Sequence, residues 1–329
     1  PDRRRSRASK AAAAAAAARP SPDGPVTFRA ADAAAEAGLA VADALRADGV
    51  VRVDGILTRE MAAAVLECVE ASLGEALHET RGHEPFGAEW SARFGDIMKP
   101  CHRHDVKLGL EAPPVRAALA SLLGALQPAL SARLGEGCIL HELAALVSLP
   151  GAARQPVHPD TPMSFFDEVG EVQADAKGKG ELEGEQRASI LTAFCALQDI
   201  SPDMGATLFL PRTHTREAHA DFYTYANFDL AFSSVDEEEG EVEDTQVQAR
   251  VVRLLQSWSA WPAELRAGDV SLFDSRCLHA GGANGSAQPR VLFYCSFIRA
   301  EHAPLSDRGT LLESLRGKHT LEEWREWLS

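Results

Sequence analysis

The part of the chain that begins at Cys138 is a succession of short apolar runs separated by Gly, Pro and charged residues. Short runs rich in aliphatic and aromatic residues are typical of β-strands. The predicted strands cover residues 144–149, 189–200, 206–210, 270–273 and 291–298. Successive short strands fit a double-sheet jelly roll, the cupin-like double-stranded β-helix. The mouth of such a barrel is a natural ligand pocket.

The part of the chain before these strands has mainly helical patterns. The predicted elements are helices at residues 30–48, 58–79 and 113–135, and a short strand at residues 50–53. Thr58 is a typical N-cap residue for the second helix, and Glu60 lies favourably in its first turn. Residues 80–105 show no clear periodicity, and we predict an irregular segment there.

Helices packed on one face of the strands predict an α+β fold, with one domain over residues 25–329. Its predicted parts are a mainly helical flank (25–135), a jelly-roll core (136–300) with insertions at 167–187 and 219–262, and a helical tail (301–329). The insertion at 219–262 carries aromatic residues between positions 222 and 232. We interpret these aromatics as a substrate lid, because long loops in compact domains are often functional. The alternative is that they only pack the loop down.

Residues 1–24 differ from the rest of the chain, because arginines and a run of eight alanines dominate them. Such a basic, acid-poor segment is typical of an organelle transit peptide or of a disordered basic arm. An alanine-rich helix without a function is a further alternative. All three interpretations stay open, and the segment does not enter the fold prediction.

Bulk properties exclude several classes of partner. The net charge of −15 argues against nucleic acid or an anionic membrane as the main partner. No apolar run in the sequence is long enough to predict a membrane span. The six cysteines form no C-x-x-C pair, which favours a reducing compartment such as the cytoplasm, a plastid or the mitochondrion. The sequence predicts no oligomeric state.

His158-Pro159-Asp160 is the strongest candidate for a metal site. Side chains one residue apart point the same way from an extended strand, so the imidazole and the carboxylate can take adjacent positions on one metal. His279, which follows a predicted strand, can supply a third ligand. Two histidines and one carboxylate leave open coordination positions, which suits non-haem Fe(II) that activates O2.

Two other histidine motifs compete for this role. His219-Ala220-Asp221 repeats the H-x-D pattern, but no strand precedes it and it leads into the longer insertion. His102-Arg103-His104 lacks a carboxylate in a strand context. Because metal ligands need stiff supporting elements, we favour residues 158–160 over both. His214 is predicted either to be structural or to form a pocket wall.

Arg290 lies eleven residues after His279, beyond a Gly-rich segment. A guanidinium near a metal suits a bidentate grip on the far carboxylate of a bound oxo-acid, although an arginine can also be an ordinary salt-bridge residue. A two-residue turn at Asn284-Gly285 would place His279 opposite Arg290 in a hairpin. Pro289 and the glycines argue against a regular ladder.

At these residues the chain resembles the phytanoyl-CoA dioxygenase family of Fe(II)- and 2-oxoglutarate-dependent oxygenases, over roughly residues 30–300. The matching pieces are His158-Pro159-Asp160, residues 204–214, the strand that opens at Gly268-Asp269, His279, residues 283–285 and Arg290. The resemblance implies that His158, Asp160 and His279 bind iron and that Arg290 binds 2-oxoglutarate. It also implies that the chain crosses between two sheets from His279 to Arg290.

The resemblance implies further contacts to the cosubstrate. Phe194 falls at a strand aromatic that lines the cosubstrate pocket. A basic residue from the preceding segment should assist Arg290, and Arg103 or Lys107 can supply it. The second residue after the distal histidine often contributes a hydroxyl, but Gly281 stands there in this chain.

The implied activity is a dioxygenase that uses Fe(II), 2-oxoglutarate and O2 to hydroxylate or otherwise oxidise a C–H bond of a small-molecule or lipid-like substrate. One alternative is a jelly-roll protein that binds metal or ligand without turnover, and the complete triad with Arg290 counts against it. The other is oxidative halogenation, in which a small residue replaces the carboxylate ligand. Asp160 occupies that position and so disfavours halogenation.

Overall fold

The structure is a computed structural model that describes residues 25–30, 35–162, 188–226, 259–305 and 309–328. The predictions for residues 1–24 and for the insertion at 167–187 lie outside the described residues. Most of the longer predicted insertion, residues 227–258, also lies outside them.

The described helices and strands agree with most of the predicted pattern. The helices are α1 (Ala35–Asp48), α2 (Arg59–Glu79), α3 (Ala88–Arg93), α4 (Pro113–Leu134), α5 (Arg216–Ala226) and α6 (Leu321–Leu328). The strands are β1 (Thr27–Arg29), β2 (Val50–Asp54), β3 (Arg103–Lys107), β4 (Ile139–Ser148), β5 (Ile190–Ala196), β6 (Thr207–Phe209), β7 (Trp261–Pro262), β8 (Val270–Asp274), β9 (His279–Gly281) and β10 (Arg290–Ile298). Thr58 caps α2 as predicted, since its hydroxyl accepts a hydrogen bond from the Met61 amide at 3.2 Å.

A seven-stranded sheet forms the centre of the protein, in the order β1-β2-β8-β5-β10-β4-β3. Its pairs are antiparallel except β1–β2. Side chains on one face, such as Phe293 and Phe297 of β10, share a hydrophobic core with Leu122 and Leu126 of α4. The structure is therefore a mixed arrangement of helices and strands around one large sheet.

The other face of the large sheet meets a smaller sheet with the order β7-β6-β9. Phe209 of β6 lies 4.9 Å from Phe273 of β8, measured between ring centroids. Trp261 of β7 belongs to the same buried cluster. Helices, large sheet and small sheet thus form successive layers, and the space between the sheets is lined largely by aromatic side chains.

Helix α4 is, among the described residues, the one helix long and apolar enough by length and composition to cross a bilayer. Its side chains Val115, Leu119, Leu122 and Leu126 are buried in the core between the helices and the large sheet. Packing in the protein core accounts for its apolar composition.

Strand β3 corrects the prediction of an irregular segment at residues 80–105. Its sequence RHDVK lacks an apolar alternation, yet it pairs antiparallel with β4 from Arg103 opposite Ser148 to Lys107 opposite Ala144. The strand forms because β4 presents an unpaired edge there, which is a tertiary cause that local sequence does not show. Likewise, β7 lies inside the predicted insertion at 219–262 but belongs to the small sheet.

The hairpin considered for residues 279–290 is wrong, because β9 belongs to the small sheet and β10 to the large one. The connecting loop crosses between the sheets and is held by Asn284, which is buried. The Asn284 side-chain amide donates to the carbonyls of Ser148 at 2.8 Å and Gln288 at 2.9 Å. These bonds pin the crossing loop to the end of β4, where Arg290 begins β10.

Two carboxyl groups, Asp105 of β3 and Glu142 of β4, lie on the inner side of the large sheet. Asp105 accepts hydrogen bonds from the hydroxyls of Tyr294 and Thr310, each at 2.9 Å. Glu142 accepts one from Ser296 at 2.6 Å. Burial raises the pKa of Asp105 and the pKa of Glu142 to about 7 each, against the opposing effect of these hydrogen bonds.

We expect the metal-free protein to lose stability as pH rises from about 5 to 8. The folded state binds more protons than the unfolded state in this window, because both pKa values are raised on folding, so the free energy of unfolding falls with pH. The effect reaches at most about 4 kcal/mol for Asp105, since one pKa unit corresponds to 1.36 kcal/mol. Urea unfolding across the pH range should show a smaller fall in Asp105→Asn and in Glu142→Gln.

The exposed Glu70 offers a control, and Glu70→Gln should keep the parent slope. Stability that stays flat or rises between pH 5 and 8 in the parent, with the same profile in both variants, would contradict the assignment.

Candidate functional site

The three predicted metal ligands come together where the chain joins the small sheet. His158 pairs with His279 in a single antiparallel bridge. The backbone amide of each residue donates to the carbonyl of the other, at 2.9 Å in both directions. The extended-strand setting expected for residues 158–160 is limited to this bridge at His158, since Pro159 and Asp160 belong to no strand. The bridge itself therefore holds the motif in place.

The side chains of His158, Asp160 and His279 each offer one ligand atom, and these atoms lie within 4.8 Å of one another. Asp160 Oδ1 is 3.3 Å from His279 Nε2 and 3.9 Å from His158 Nε2. Within the part of the chain that the structure describes, this is the sole group of at least three His, Cys, Asp or Glu side chains with such a geometry.

Backbone carbonyls set the orientation of both imidazoles. His158 Nδ1 lies 2.8 Å from the Pro156 carbonyl, and His279 Nδ1 lies 2.9 Å from the Cys277 carbonyl. A carbonyl can only accept, so each Nδ1 carries a proton and donates it. When the imidazoles are neutral, each Nε2 carries the lone pair on the side of Asp160, which is the arrangement that a metal-ligating histidine requires.

Electrostatics favours the metal-binding protonation states of His158 and Asp160. Burial and the charge of His279 together lower the pKa of His158 to about 4, so that this imidazole is neutral near pH 7. Burial raises the pKa of Asp160, but the charge and hydrogen bond of His279 outweigh it and hold the pKa below its ordinary value. For His279, burial lowers the pKa, but the charge and hydrogen bond of Asp160 outweigh burial and raise the pKa above its ordinary value, so a metal ion must displace a proton there. The site thus offers a carboxylate and imidazole nitrogens on one side, a donor set that fits Fe(II).

Aromatic rings surround the inner side of this triad. The His279 ring lies 5.3 Å from Phe273 and 5.7 Å from Phe209, between centroids. Phe194 makes edge contacts with Phe273 at 4.9 Å and with Tyr294 at 5.5 Å. The predicted cosubstrate-pocket residue Phe194 therefore lies in the aromatic wall between the sheets.

A row of three residues crosses the large sheet at the end nearest the crossing loop. Arg290 of β10 and Arg103 of β3 both lie opposite Ser148 of β4, so the three side chains share one face. Both arginines are at most 1% exposed. Arg290 donates through Nη2 to the Ser148 hydroxyl at 3.0 Å and through Nη1 to the Gly205 carbonyl. Arg103 donates through Nη2 to the Gly282 carbonyl at 3.0 Å.

The arginine pair, Arg103 and Arg290, has unsatisfied positive charge. Neither guanidinium forms a salt bridge with an acidic residue among the described residues. Arg103 Nε and Nη1 and Arg290 Nε are buried without a hydrogen-bond partner. Burial and the neighbouring charge of Arg103 together lower the pKa of Arg290 to about 10. Because buried charges are normally paired, this pair fits a bound anion.

Strand β9 connects the triad to the arginine pair. His279 and Gly281 lie two residues apart on the same side of this strand, a distance of about 7 Å. A Cβ atom placed on Gly281 would lie 3.6 Å from Arg290 Nη2. The spacing along β9 is close to the length of a five-carbon dicarboxylate.

The structure separates the two candidates for the assisting basic residue. Arg103 lies beside Arg290 in the strand row just described. Lys107 lies four pairs farther along β3, opposite Ala144, and its ammonium donates to the Ser91 carbonyl. Arg103, and not Lys107, therefore completes the arginine pair.

The competing histidines lie away from the triad. His219 is buried on α5, where its Nε2 lies 2.8 Å from the Arg276 carbonyl. His102 is exposed at the turn before β3. His214 Nε2 lies 3.2 Å from the Arg46 carbonyl, which supports the structural interpretation of this residue.

Phe222 corrects part of the lid hypothesis. It is 3% exposed and packs in a cluster with Val157, Leu210, Leu278 and Ala280, next to the residues that carry the triad. For this aromatic the packing alternative holds. Of the other aromatics of the predicted lid, Tyr223 and Tyr225 lie on α5, whereas Phe228 and Phe232 lie outside the described residues.

Sequence reasoning missed three parts of the site. Ser148 and the glycine carbonyls of Gly205 and Gly282 bind the arginine pair, and Gln155 lies beside Gly281. A hydroxyl at the end of the apolar run of β4 is a weak signal for Ser148, whereas backbone carbonyls leave no signal in a sequence. Gln155 stands three residues before His158, and the pattern does not show where its side chain points.

Comparisons with solved structures find distant similarity. The epimerase SnoN and the carbocyclase SnoK, both non-haem α-ketoglutarate-dependent proteins of nogalamycin biosynthesis, are each 20% identical with a TM-score of 0.45. The SnoN alignment covers 80% of this chain and 83% of SnoN, and the SnoK alignment covers 84% and 88%. AviO1 from Streptomyces viridochromogenes Tue57 is 15% identical with a TM-score of 0.46, over 80% of this chain and 95% of AviO1.

None of the curated proteins compared matches the sequence significantly. The family comparison gives a direct answer, because the sequence matches phytanoyl-CoA dioxygenase (PhyH) over residues 45–292. This range includes the triad, both arginines and the crossing loop between the sheets. The chain therefore belongs to the phytanoyl-CoA dioxygenase family and is a non-haem oxidoreductase that depends on Fe(II) and 2-oxoglutarate.

Proposed function

We propose that this protein is a dioxygenase that hydroxylates a C–H bond of a small-molecule or lipid-like substrate on a jelly-roll scaffold. The observation that carries the proposal is the strand β9, with His279 of the triad at its start and Gly281 next to the buried arginine pair. Metal ligands and an anion pocket thus stand one dicarboxylate length apart. The two facing sheets, joined by the crossing loop before Arg290, support the jelly-roll interpretation.

His158, Asp160 and His279 would hold the iron. Their imidazole orientation is set in advance by the Pro156 and Cys277 carbonyls, so little reorganisation is needed on metal binding. When bound, iron and 2-oxoglutarate supply the oxidising chemistry, in which O2, 2-oxoglutarate and a C–H bond give succinate, carbon dioxide and an alcohol.

Arg290 and Arg103 would bind the far carboxylate of 2-oxoglutarate. The unpartnered N–H groups of both guanidiniums are the donors that such a carboxylate requires. Ser148 and the Gly205 carbonyl hold Arg290 in place from the other side, so the anion meets an ordered guanidinium. The cosubstrate would thereby be oriented along β9 with its other end at the triad.

The substrate would approach from the side of Asp160. The Asp160 side chain is 39% exposed, whereas those of His158 and His279 are 12% and 5% exposed. The inner side is closed by Phe209, Phe273 and the other aromatics, which exclude water from the reacting groups. A carboxylate at position 160 also supports hydroxylation over halogenation, because halide needs the position that this ligand takes.

Substitutions at Asp160 and Arg290 should separate metal binding from cosubstrate binding. Asp160→Ala removes the anionic ligand, so iron content and all turnover should fall together. Arg290→Ala leaves the triad whole, but it removes a buried charge-assisted contact worth roughly 2–5 kcal/mol. The apparent affinity for 2-oxoglutarate should then drop about 30-fold or more. Arg290→Lys keeps the positive charge but cannot form two parallel hydrogen bonds to a carboxylate. Its 2-oxoglutarate affinity should therefore lie between those of the parent and Arg290→Ala.

Anaerobic titration with Fe(II) and 2-oxoglutarate, followed by the visible charge-transfer band, measures both affinities. Succinate release then measures turnover. A parent protein that binds iron without developing the band or releasing succinate would favour a binding protein. Unchanged 2-oxoglutarate affinity in Arg290→Ala would contradict the proposal that Arg290 binds the cosubstrate.

Arg103 and Lys107 form a matched pair on one strand. Arg103→Met retains an apolar stem of similar length but removes one of the two buried charges, so 2-oxoglutarate affinity should fall about tenfold or more. Lys107→Met, four residues along β3, should leave the affinity within about twofold, since ordinary distant substitutions stay within about 0.5 kcal/mol. The same anaerobic titration measures the 2-oxoglutarate affinity of both variants. Equal losses of affinity would show that any substitution on β3 disturbs the site, and would contradict a specific role for Arg103.

A further inference from the structure

Gln155 joins three segments of the site through one side chain. Its Oε1 accepts a hydrogen bond from the Gly281 amide at 2.9 Å, and its Nε2 donates to the Met98 carbonyl at 3.0 Å. Its backbone amide donates to the Gly281 carbonyl at 2.9 Å. Gln155 thus binds both backbone polar groups of Gly281 and is itself 7% exposed. These bonds link the segment of His158, the strand of His279 and the segment that leads into β3.

The Gln155 side chain, and not the backbone conformation of Gly281, disfavours a side chain at position 281. Its φ angle lies outside the left-handed region that favours glycine, so the backbone permits a side chain. However, a Cβ atom on Gly281 would lie 2.4 Å from Gln155 Oε1. Gln155 could make room only by moving its amide away from the Gly281 amide and the Met98 carbonyl, to which it is hydrogen-bonded. The same Cβ would lie 3.6 Å from Arg290 Nη2. The Gln155 amide therefore occupies the space beside the arginine pair that a side chain at position 281 would take.

We propose that Gln155 is a positioning residue of the 2-oxoglutarate pocket, where it takes the place of a side chain at position 281. The inference rests on the proposed function, since it assigns a role within that cosubstrate site. By clamping Gly281 at the end of β9, Gln155 sets the position of this strand, and so of the His279 imidazole, relative to the Arg290 guanidinium on β10. A cosubstrate that must reach both groups depends on this relative position.

The neutral amide of Gln155 matters as well as its shape. A carboxylate at this position would stand beside Arg290 and would supply the negative charge that the arginine pair lacks. The chain would then neutralise its own pocket and compete with the incoming carboxylate. A glutamine satisfies the Gly281 amide and leaves the positive charge available to the ligand.

Four variants test this role: Gln155→Glu, Gln155→Ala, Gly281→Ser and the double variant Gln155→Ala with Gly281→Ser. Gln155→Glu should lower 2-oxoglutarate affinity about tenfold or more by charge compensation. Gly281→Ser should lower it similarly, because its Cβ meets Gln155 Oε1. The double variant should recover most of the affinity lost in Gly281→Ser, since the amide that blocks the new side chain is gone.

The readouts are Fe(II) content, 2-oxoglutarate affinity by anaerobic titration, and thermal unfolding. Gln288→Glu is the charge control, because it adds the same charge at an exposed position two residues from Arg290 and should bind 2-oxoglutarate like the parent. Iron content should stay near the parent value in Gln155→Glu, which separates the pocket from the triad. If Gln155→Ala fails to fold, Gln155→Glu and Gly281→Ser still give the comparison.

Two results would overturn the proposal. One is 2-oxoglutarate affinity that is unchanged in Gln155→Glu while the parent binds the cosubstrate normally. The other is a loss of 2-oxoglutarate affinity in Gly281→Ser that the double variant does not recover. The contact between Gln155 and position 281 would then be ordinary packing without a role in cosubstrate binding. Failure of the parent itself to bind 2-oxoglutarate would instead refute the proposed function, so the two failures are distinguishable.

Discussion

Two backbone hydrogen bonds between His158 and His279 are the constraint on which the site depends. The three ligand side chains come from two segments more than a hundred residues apart, and this bridge is what brings them together. The bridge is held firmly because β9, which carries His279, also pairs with β6 of the small sheet. The triad is therefore attached to the small sheet, and the carbonyls of Pro156 and Cys277 then orient the rings.

The large sheet supplies the other part of the site, the arginine pair. Two buried guanidiniums meet at one end of its inner face, whereas the carboxyls of Asp105 and Glu142 lie farther along the same face. The carboxyls are satisfied by hydroxyl groups, and burial raises their pKa values toward neutrality. The arginines stay charged and partly unsatisfied, so the free energy of desolvating them is offset only when an anion binds.

Close backbone approach is what fits the two halves together. A Cβ on Gly205 would lie 2.2 Å from the Ala283 carbonyl, and Gly205 also has a φ angle of +70° that favours glycine. The loops at residues 202–205 and 281–283 therefore contact each other through backbone alone, and their carbonyls receive the guanidinium donors. Gln155 fills the remaining space at Gly281. Small residues in these loops thus serve the geometry of the pocket.

The sequence by itself determined the chemistry of the site and most of the secondary structure. Apolar runs predicted β4, β5, β8 and β10, Thr58 predicted the start of α2, and the residue types of the triad predicted a non-haem iron site. Only the tertiary structure decided that Arg103 and not Lys107 stands beside Arg290, that β9 and β10 belong to different sheets, and that Gln155 disfavours a side chain at position 281. The physical reason is range: periodicity and capping act within a few residues, whereas strand pairing, charge burial and steric exclusion act between segments that are distant in the chain.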